Sequence, residues 1–377
     1  MWSVVIALIA MFVIVFASDK IRENAVDNIT IKRELDKRAI FKDDSLMVTL
    51  KIENASKIPV EFLHIEEQFD KNIIKIKSIL DGKPIGNCNY YATNLSINGR
   101  ERVKRKYYIT ALKRGAYIIS NITIEVGDIF GIKENKKCIE DFKEFLVYPE
   151  IRNLKQLSIA SNSLLGANLV KRLINEDTLI TKGLRDYTTN DRMKDIHWNS
   201  SLKLNKLMVR EYDFTSDIDA IFILNVQCSE IFWNSIDEEV VEKGVSLMCS
   251  LALQTIEQSI PVELWTNASI RSYTGNFKGN VRCNKGQANK ILEFGARIDN
   301  LPYCGFNDYL KEKLKNFRSN SVYVILTSYI NSEIENIIIN LTKRGYIIKL
   351  IDLSKDQALN IAYIEKISYS WEENYEQ

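Results

Sequence analysis

The hydrophobic pattern of this chain changes its period near the middle, and that change most constrains the fold. Between residues 28 and 149, short alternating apolar segments recur about every 8–12 residues and are separated by polar turns. After residue 215, nearly continuous apolar runs such as 218–226 alternate with amphipathic helical stretches such as 235–259. The first pattern predicts an all-β sandwich, and the second predicts a parallel, doubly wound α/β sheet.

The first segment of the chain, MWSVVIALIAMFVIVFA, is apolar except for one serine. As a helix it would span roughly 25 Å, a little less than the ~30 Å hydrocarbon core of a bilayer. A signal peptide would have basic residues before the apolar run, whereas here Lys20 and Arg22 follow it. We therefore predict a retained single-pass anchor in the cell membrane, with the soluble domains in the cytoplasm by the positive-inside rule. A cleaved signal peptide, with a small-residue cleavage pattern ending at Ala17, is the alternative.

These patterns divide the 377 residues into four regions. We predict a transmembrane anchor over 1–20, an immunoglobulin-like β-sandwich over 25–150, a connector over 151–215 and a doubly wound α/β domain over 216–377. The chain is therefore expected to be a multidomain protein.

Composition excludes several classes of function. The 51 Lys and Arg residues nearly balance 49 Asp and Glu residues, whereas a dedicated nucleic-acid binder would carry a clear basic excess. The two histidines, His64 and His197, exclude any site that needs three imidazoles, and we interpret His64 as an ordinary strand residue. The six cysteines form no CxxC pair, so we predict reduced, structural thiols. Neither a GxxxxGK[ST] loop nor a GxGxxG turn is present, so nucleotide binding is unsupported.

The connector contains the densest cluster of unusual residues, KGLRDYTTNDRMKDIHWNSSLKLNKLMVREYD over 182–213. Its guanidinium groups and carboxylates can form directional pairs, and Trp198 offers a flat aromatic face. The residues alone leave three interpretations open: a self-satisfied polar knot, a docking patch for an acidic partner, and a catalytic site. The catalytic interpretation requires His197 as general base, with Asp191 or Asp195 orienting it.

This run resembles the core motif of the DUF58 family of membrane-associated proteins. The matching residues are Gly183, Arg185, Tyr187, Asp191, Arg192, Ile196, His197, Trp198 and Ser201. Two departures are Asn190, in place of a glycine, and Leu202–Lys203, in place of Ala-Arg. The stretches 127–131 and 147–149 also look like the family, and the resemblance extends over nearly the whole chain.

The resemblance implies a bacterial protein whose C-terminal half is a von Willebrand factor A-like domain. It also implies protein partners, among them a MoxR-type AAA+ ATPase and a transglutaminase-like membrane protein. The motif residues expected to bind partners are Gly183, Arg185, Tyr187, Asp191, Arg192, His197, Trp198 and Ser201. We therefore expect a membrane-anchored, non-enzymatic adaptor or assembly protein that binds no nucleic acid. The alternative is an envelope-associated hydrolase that uses His197 and Asp191.

Some von Willebrand factor A-like domains have a metal site whose ligands can be sought directly in the sequence. It requires Asp-x-Ser-x-Ser after the first strand, because a hard cation prefers carboxylate and hydroxyl oxygens. At that place this chain has Asn225-Val226-Gln227-Cys228-Ser229, which lacks the carboxylate and the first serine. We therefore predict no metal and no cofactor.

Overall fold

The computed structural model describes residues 26–70, 74–77, 88–127, 134–152, 176–188, 191, 193–214, 219–234, 236–273 and 279–370. These residues are mostly β-sheet, with a few helices and several separate sheets, so the predicted β-rich, multidomain organisation is confirmed. The chain forms two compact units. The first unit comprises Met1–Glu150, Ile270–Lys278 and Leu292–Asp299, and the second comprises Ile151–Ser269, Gly279–Ile291 and Asn300–Gln377.

The predicted anchor over 1–20 lies outside the described residues. Within the described part of the chain, no helix is both long enough and apolar enough to cross a bilayer.

The first unit is built mainly from short strands. They are β1 (Ile29–Leu35), β2 (Ala39–Phe41), β3 (Ser45–Asn54), β4 (Val60–Asp70), β5 (Ile74–Lys77), β6 (Cys88–Ile97), β7 (Arg102–Ala111), β8 (Gly115–Ile119), β9 (Ile122–Gly127), β10 (Glu134–Ile139) and β11 (Lys143–Tyr148). Two four-stranded antiparallel sheets have the orders β1-β3-β7-β5 and β10-β9-β4-β6, and a smaller sheet has the order β2-β11-β8.

The two four-stranded sheets share one hydrophobic core. In β3 every second side chain is buried, as expected for a strand with one face against a core. Leu46 and Val48 of β3 belong to the same buried cluster as Leu63 and Ile65 of β4, which lies in the other sheet. This part of the chain is therefore a two-sheet sandwich, and its immunoglobulin-like topology stays a prediction.

An ion pair lies fully inside this core. Arg33 and Glu67 are each 1% exposed, and the guanidinium donates from Nε to Glu67 Oε1 at 2.9 Å and also from Nη2. Arg33 Nη1 donates to the carbonyl oxygens of Ser120 at 3.0 Å and Asp141 at 2.6 Å. The Tyr107 hydroxyl donates to the other Glu67 oxygen. Burial, together with the neighbouring carboxylate, raises the pKa of Tyr107 well above its usual value.

From residue 176 onward, strands and helices alternate. They are β12 (Glu176–Asp186), α1 (Trp198–Leu204), β13 (Met208–Phe214), β14 (Asp219–Leu224), α2 (Glu238–Glu257), β15 (Val262–Thr266), β16 (Ala268–Ile270), β17 (Asn280–Cys283), α3 (Ala288–Arg297), β18 (Ile298–Pro302), α4 (Phe306–Lys313), β19 (Ser321–Thr327), α5 (Ser332–Lys343), β20 (Ile347–Asp352) and β21 (Glu365–Lys366). Short 3₁₀ turns cover Met193–Asp195 and Leu314–Asn316.

The second unit is centred on a six-stranded sheet with the order β17-β15-β14-β19-β20-β21. Its strands are parallel except for β17, which pairs antiparallel at one edge. On one face, Ile223 of β14 shares a buried cluster with Phe306 of α4 and Ile338 of α5. On the other face, α2 packs closely against β14. A Cβ atom added to Gly244 of α2 would lie only 2.8 Å from the Cδ1 atom of Leu224. Helices therefore cover both faces, which explains why β14 is buried along its whole length.

Candidate functional site

The described motif residues lie on an antiparallel hairpin and on the segment between its strands, which includes a short helix. Strands β12 and β13 pair so that Gly183 lies opposite Glu211 and Asp186 lies opposite Met208. The connecting segment returns to the hairpin at Ile196, which forms a bridge with Val209, and both of these side chains are buried. In the described residues of the connector, the hairpin and the returning segment therefore share a small apolar base.

The most distinctive polar contact of the hairpin joins Arg185 to Asp191. Arg185 Nη1 and Nη2 donate to the two carboxylate oxygens at 2.7 and 2.5 Å, which is a bidentate pair. Thr188 donates to Asp191 Oδ2 from its backbone N–H and from its hydroxyl, each at 2.8 Å. The Arg185 guanidinium, followed by the Thr188 N–H, holds the pKa of the Asp191 carboxyl well below its usual range. This carboxylate is therefore an ionised anchor for the turn after β12.

His197 stands immediately before α1 and caps it. Its Nδ1 accepts the backbone N–H of Ser200 at 3.2 Å, which satisfies one of the free donors at the helix start. The His197 N–H donates to the Met208 carbonyl oxygen at 2.8 Å, so the cap is also tied to β13. The Nδ1 atom of the imidazole is therefore engaged in a hydrogen bond that stabilises the start of α1.

Ser201 is the one buried residue of α1 and links the helix to the hairpin. Its hydroxyl donates to the His197 carbonyl oxygen at 3.0 Å and accepts the Met208 N–H at 2.9 Å. The helix then ends at Asn205, whose left-handed backbone (φ 51°) closes the turn toward β13. Helix, turn and strand are held together by short local hydrogen bonds.

The remaining predicted residues have different positions. Gly183 lies on β12, where a Cβ would have nothing within 4 Å, so no close contact requires glycine there. Tyr187 follows β12 and its N–H donates to the Leu207 carbonyl oxygen at 3.0 Å. Trp198 is the first residue of α1 and is 58% exposed. Arg192 lies outside the described residues.

Large apolar side chains of the same segment face solvent, a feature that the sequence analysis missed. Leu202 is 80% exposed and lies four residues after Trp198 on α1, so the two side chains are neighbours on one helix face. The exposed apolar side chains of this segment are Leu184, Met193, Trp198, Leu202, Leu204 and Leu207, from 40% to 80% exposed. We call this set the motif surface. Single exposed leucines are ordinary, whereas contiguous exposed apolar patches are typical of interaction sites.

A catalytic pair of Asp191 and His197 would need a hydrogen bond from the imidazole to the carboxylate. In the described residues, the partners of the Asp191 side chain are Arg185 and Thr188, and His197 Nδ1 accepts from Ser200. Both groups thus take part in holding the hairpin. The hydrolase hypothesis stays a prediction.

The carboxyl ends of the parallel strands carry a buried amide network where ligands commonly bind in α/β sheets. Asn225 follows β14 and donates to Thr327 Oγ1 at the end of β19, at 2.9 Å. Its Oδ1 accepts the Gln227 N–H at 2.9 Å and the Asn267 side-chain amide at 3.1 Å. Asn267 Oδ1 in turn accepts the Val226 N–H at 3.0 Å. Neutral amides that satisfy one another therefore occupy this edge.

Two other predictions concern cysteine and metal chemistry. Cys138, Cys228, Cys249, Cys283 and Cys304 have free thiols, and Cys88 has no described side chain. Burial raises the pKa of Cys283 to about 11, which makes this thiol a poor nucleophile. Over the described ranges, no group of three or more His, Cys, Asp or Glu side chains is placed to hold a metal ion.

We expect the order of the hairpin to depend on pH through Asp191. Because its pKa is lowered in the folded state, its contribution is complete above the usual carboxyl range and is lost as pH falls toward the lowered value. Amide hydrogen exchange around Thr188, corrected for intrinsic exchange, should therefore accelerate in acid. Asp191→Asn should exchange rapidly at neutral pH and show no further change in acid. Wild-type protection in this variant would contradict the anchoring role.

No family model matches the chain, so the DUF58 resemblance stays a prediction. The chain is 20% identical over 219 residues to the uncharacterized protein YeaD of Bacillus subtilis (strain 168). That match covers 58% of this chain and 52% of YeaD, so the chain spans about half the length of the curated relative that it matches.

Three solved structures are each similar to this chain over about a third of its length. The CARDB domain of the PF1109 protein from Pyrococcus furiosus covers 32% of this chain and 91% of its own, at 15% identity and a TM-score of 0.21. The native conformation of E. coli alpha-2-macroglobulin covers 33% of this chain and 7% of its own, at 14% identity and a TM-score of 0.24. A cohesin module from a Clostridium perfringens family 33 glycoside hydrolase covers 32% and 95%, at 14% identity and a TM-score of 0.22.

Proposed function

We propose that this chain is a membrane-anchored, non-enzymatic adaptor of the DUF58 type that binds protein partners through the motif surface. The partner we propose is a MoxR-type AAA+ ATPase, working with a transglutaminase-like membrane protein. One observation carries the proposal: the polar groups of the motif bond to one another, while its large apolar side chains face solvent.

The polar residues of the motif support a scaffold role. Arg185 and Asp191 close the turn after β12, His197 caps α1, and Ser201 ties that helix to β13. A site that transforms a substrate would keep such groups available, whereas a presenting scaffold uses them to fix its own shape. The polar-knot and docking interpretations are therefore compatible, because the hydrogen-bonded polar residues fix the position of the exposed residues that would bind the partner.

The apolar residues of the motif support protein binding. Trp198 and Leu202 are adjacent on α1 and are 58% and 80% exposed. Tryptophan is the residue type most enriched among side chains that dominate binding energy at protein interfaces. A pair of this kind, fixed on a capped helix, needs little ordering when a partner covers it.

The charge of the segment indicates the chemistry of the partner. Residues 183–210 contain six basic and three acidic side chains, in a chain that is nearly neutral as a whole. Lys194, Lys203 and Arg210 of the same segment are exposed. An acidic partner surface with an apolar centre would complement both features.

The finer fold assignments fit this proposal. Numbered by their appearance along the chain, the strands of the large sheet have the order 3-2-1-4-5-6, which is a doubly wound order and is compatible with the proposed von Willebrand factor A-like domain. With an immunoglobulin-like sandwich before it and an anchor at residues 1–20, the chain would present two protein-binding modules at the membrane.

The test is binding of the full-length chain to a purified MoxR-type ATPase from the same genome, with and without ATP. Trp198→Ser/Leu202→Ser should weaken binding by about 30-fold or more, as expected when central interface side chains are removed. Phe142→Ser is the matched control, because Phe142 is 59% exposed and lies far from the motif in sequence. Equal binding by the double variant and the control would overturn the docking role.

A further inference from the structure

The chain carries a second exposed apolar surface, on the segment that follows β14. Residues 225–237, of which 235 is not described, leave the carboxyl end of the parallel sheet and lead into α2; we call them the edge loop. Ile231 is 46% exposed, Trp233 is 66% exposed and Ile236 is 41% exposed. An exposed tryptophan between two exposed isoleucines is the pattern of an interaction site.

The edge loop is held in place from both sides. The amide network fixes its start, where Gln227 Oε1 accepts the Phe306 N–H at 2.9 Å and its Nε2 donates to the Ser229 carbonyl oxygen at 2.7 Å. Trp233 stands edge-on against Phe232, with ring centroids 4.7 Å apart. The start of the loop is thus fixed and the exposed indole packs against Phe232, which lowers the entropic cost of binding.

The charge of this region is opposite to that of the motif surface. Residues 226–242 contain five acidic side chains and no basic one. Glu230 and Glu239 are exposed, and Asp237 lies 3.6 Å from Lys355 Nζ. An acidic surface with an exposed tryptophan therefore lies on the same unit as a basic surface with an exposed tryptophan.

We propose that the edge loop of one copy binds the motif surface of a second copy. The inference rests on the motif surface being a docking surface, as proposed above. Charge complementarity selects the occupant, since the edge loop and the adjoining start of α2 are acidic and the motif surface is basic. Trp198 and Trp233 are both exposed in the single chain, so the two surfaces do not cover each other within one copy.

Two consequences follow from the geometry of such a contact. Because the two surfaces differ, copies either add head to tail or pair reciprocally, with each edge loop on the motif surface of the other copy. Because the edge loop and the ATPase would use the same motif surface, binding of one excludes the other. Self-association would therefore regulate access of the ATPase to the adaptor.

Sedimentation of the full-length protein in detergent, over a range of concentrations and salt, tests the proposal. Wild-type protein should self-associate as its concentration rises, and salt should weaken the association. Lys194→Glu/Lys203→Glu and Glu230→Lys/Glu239→Lys should each associate at least about ten-fold more weakly, because like charges then face each other. The quadruple variant, in which the charges of both surfaces are reversed, should associate again. Lys104→Glu/Lys106→Glu, at exposed positions on β7, is the matched control.

The outcomes separate this proposal from the docking role. Glu230→Lys/Glu239→Lys should lose self-association and still bind the ATPase, because the motif surface is unchanged. A wild-type protein that stays monomeric, or a quadruple variant that does not recover, overturns the self-association proposal even if the ATPase binds. If the edge-loop variants instead lose a different protein, the occupant is that protein and the proposal is equally overturned.

Discussion

Replacing Glu67 with leucine is expected to lower the free energy of unfolding of the sandwich by about 3–5 kcal/mol. The substitution leaves the Arg33 guanidinium, whose side chain is 0% exposed, without its counter-charge. It also removes the acceptor of the Tyr107 hydroxyl, which is buried in the same core. Hydrogen exchange of β3 and β4 peptides in the full-length protein, measured across a denaturant series, reports the loss.

Two controls separate the buried charge from general disturbance of the core. Arg33→Met/Glu67→Leu should recover most of the stability, because replacing both partners of a buried pair by apolar groups is often nearly neutral. Glu34→Leu breaks the exposed pair with Lys51, 56% and 42% exposed, and should cost less than about 1 kcal/mol. A loss below 1 kcal/mol for Glu67→Leu would show that the ion pair does not hold the sandwich.

Replacing Asn225 with aspartate is expected to destabilise the second unit by about 3 kcal/mol or more at neutral pH. Asn225 is 2% exposed, and its amide group donates to Thr327 Oγ1 and, at 3.4 Å, to the Tyr329 carbonyl oxygen. A carboxylate would place a buried charge against these two oxygens. Burial would raise its pKa in the folded state, so the loss should be small in acid and should grow as pH rises through the usual carboxyl range.

The same variant tests the metal prediction, with Asn320→Asp, at an exposed position, as the control. Thermal unfolding with and without Mg²⁺ is the measurement. We expect Mg²⁺ to leave the stability of Asn225→Asp unchanged, because a restored carboxylate alone does not supply the hydroxyl ligands that a cation site needs. Recovery of stability with Mg²⁺ would reveal a latent cation site and would contradict the prediction.

Much of the secondary structure was predicted correctly from the spacing of hydrophobic residues along the chain. The strand predicted over 218–226 is observed as Asp219–Leu224, and the helix predicted over 235–259 is observed as Glu238–Glu257. These elements are long and strongly periodic, so local pattern determines them. The pairing of strands that are distant in sequence, such as β14 with β19, depends on contacts that no local pattern encodes.

The buried ion pair was missed although the sequence contained a signal for it. Ile29, Ile31 and Arg33 alternate on the inward face of β1, so the period places a charge inside. Glu67 likewise follows Leu63 and Ile65 on β4 at two-residue spacing, which places the opposite charge inside. Two opposite charges at inward positions of alternating strands, one in each sheet of a sandwich, predict an internal pair.

For the candidate site, the sequence identified the segment but not which of its residues stabilise the structure and which are exposed. The closure of Arg185 on Asp191 and the capping of α1 by His197 depend on the turns between them, which residue types alone do not determine. The exposure of Trp198 and Leu202 depends on what the rest of the chain leaves uncovered. Only tertiary structure separates the side chains that hold the surface from those that form it.

The most direct test compares the dissociation constants of His197→Asn and Trp198→Ser for the MoxR-type ATPase. Asparagine is a good N-cap, so His197→Asn should keep the helix in place and bind the ATPase as the wild type does. Trp198→Ser should weaken binding by about 30-fold or more while the hairpin stays folded. The reverse result, with binding lost in His197→Asn and kept in Trp198→Ser, would contradict the docking account and would assign the chemistry to the imidazole.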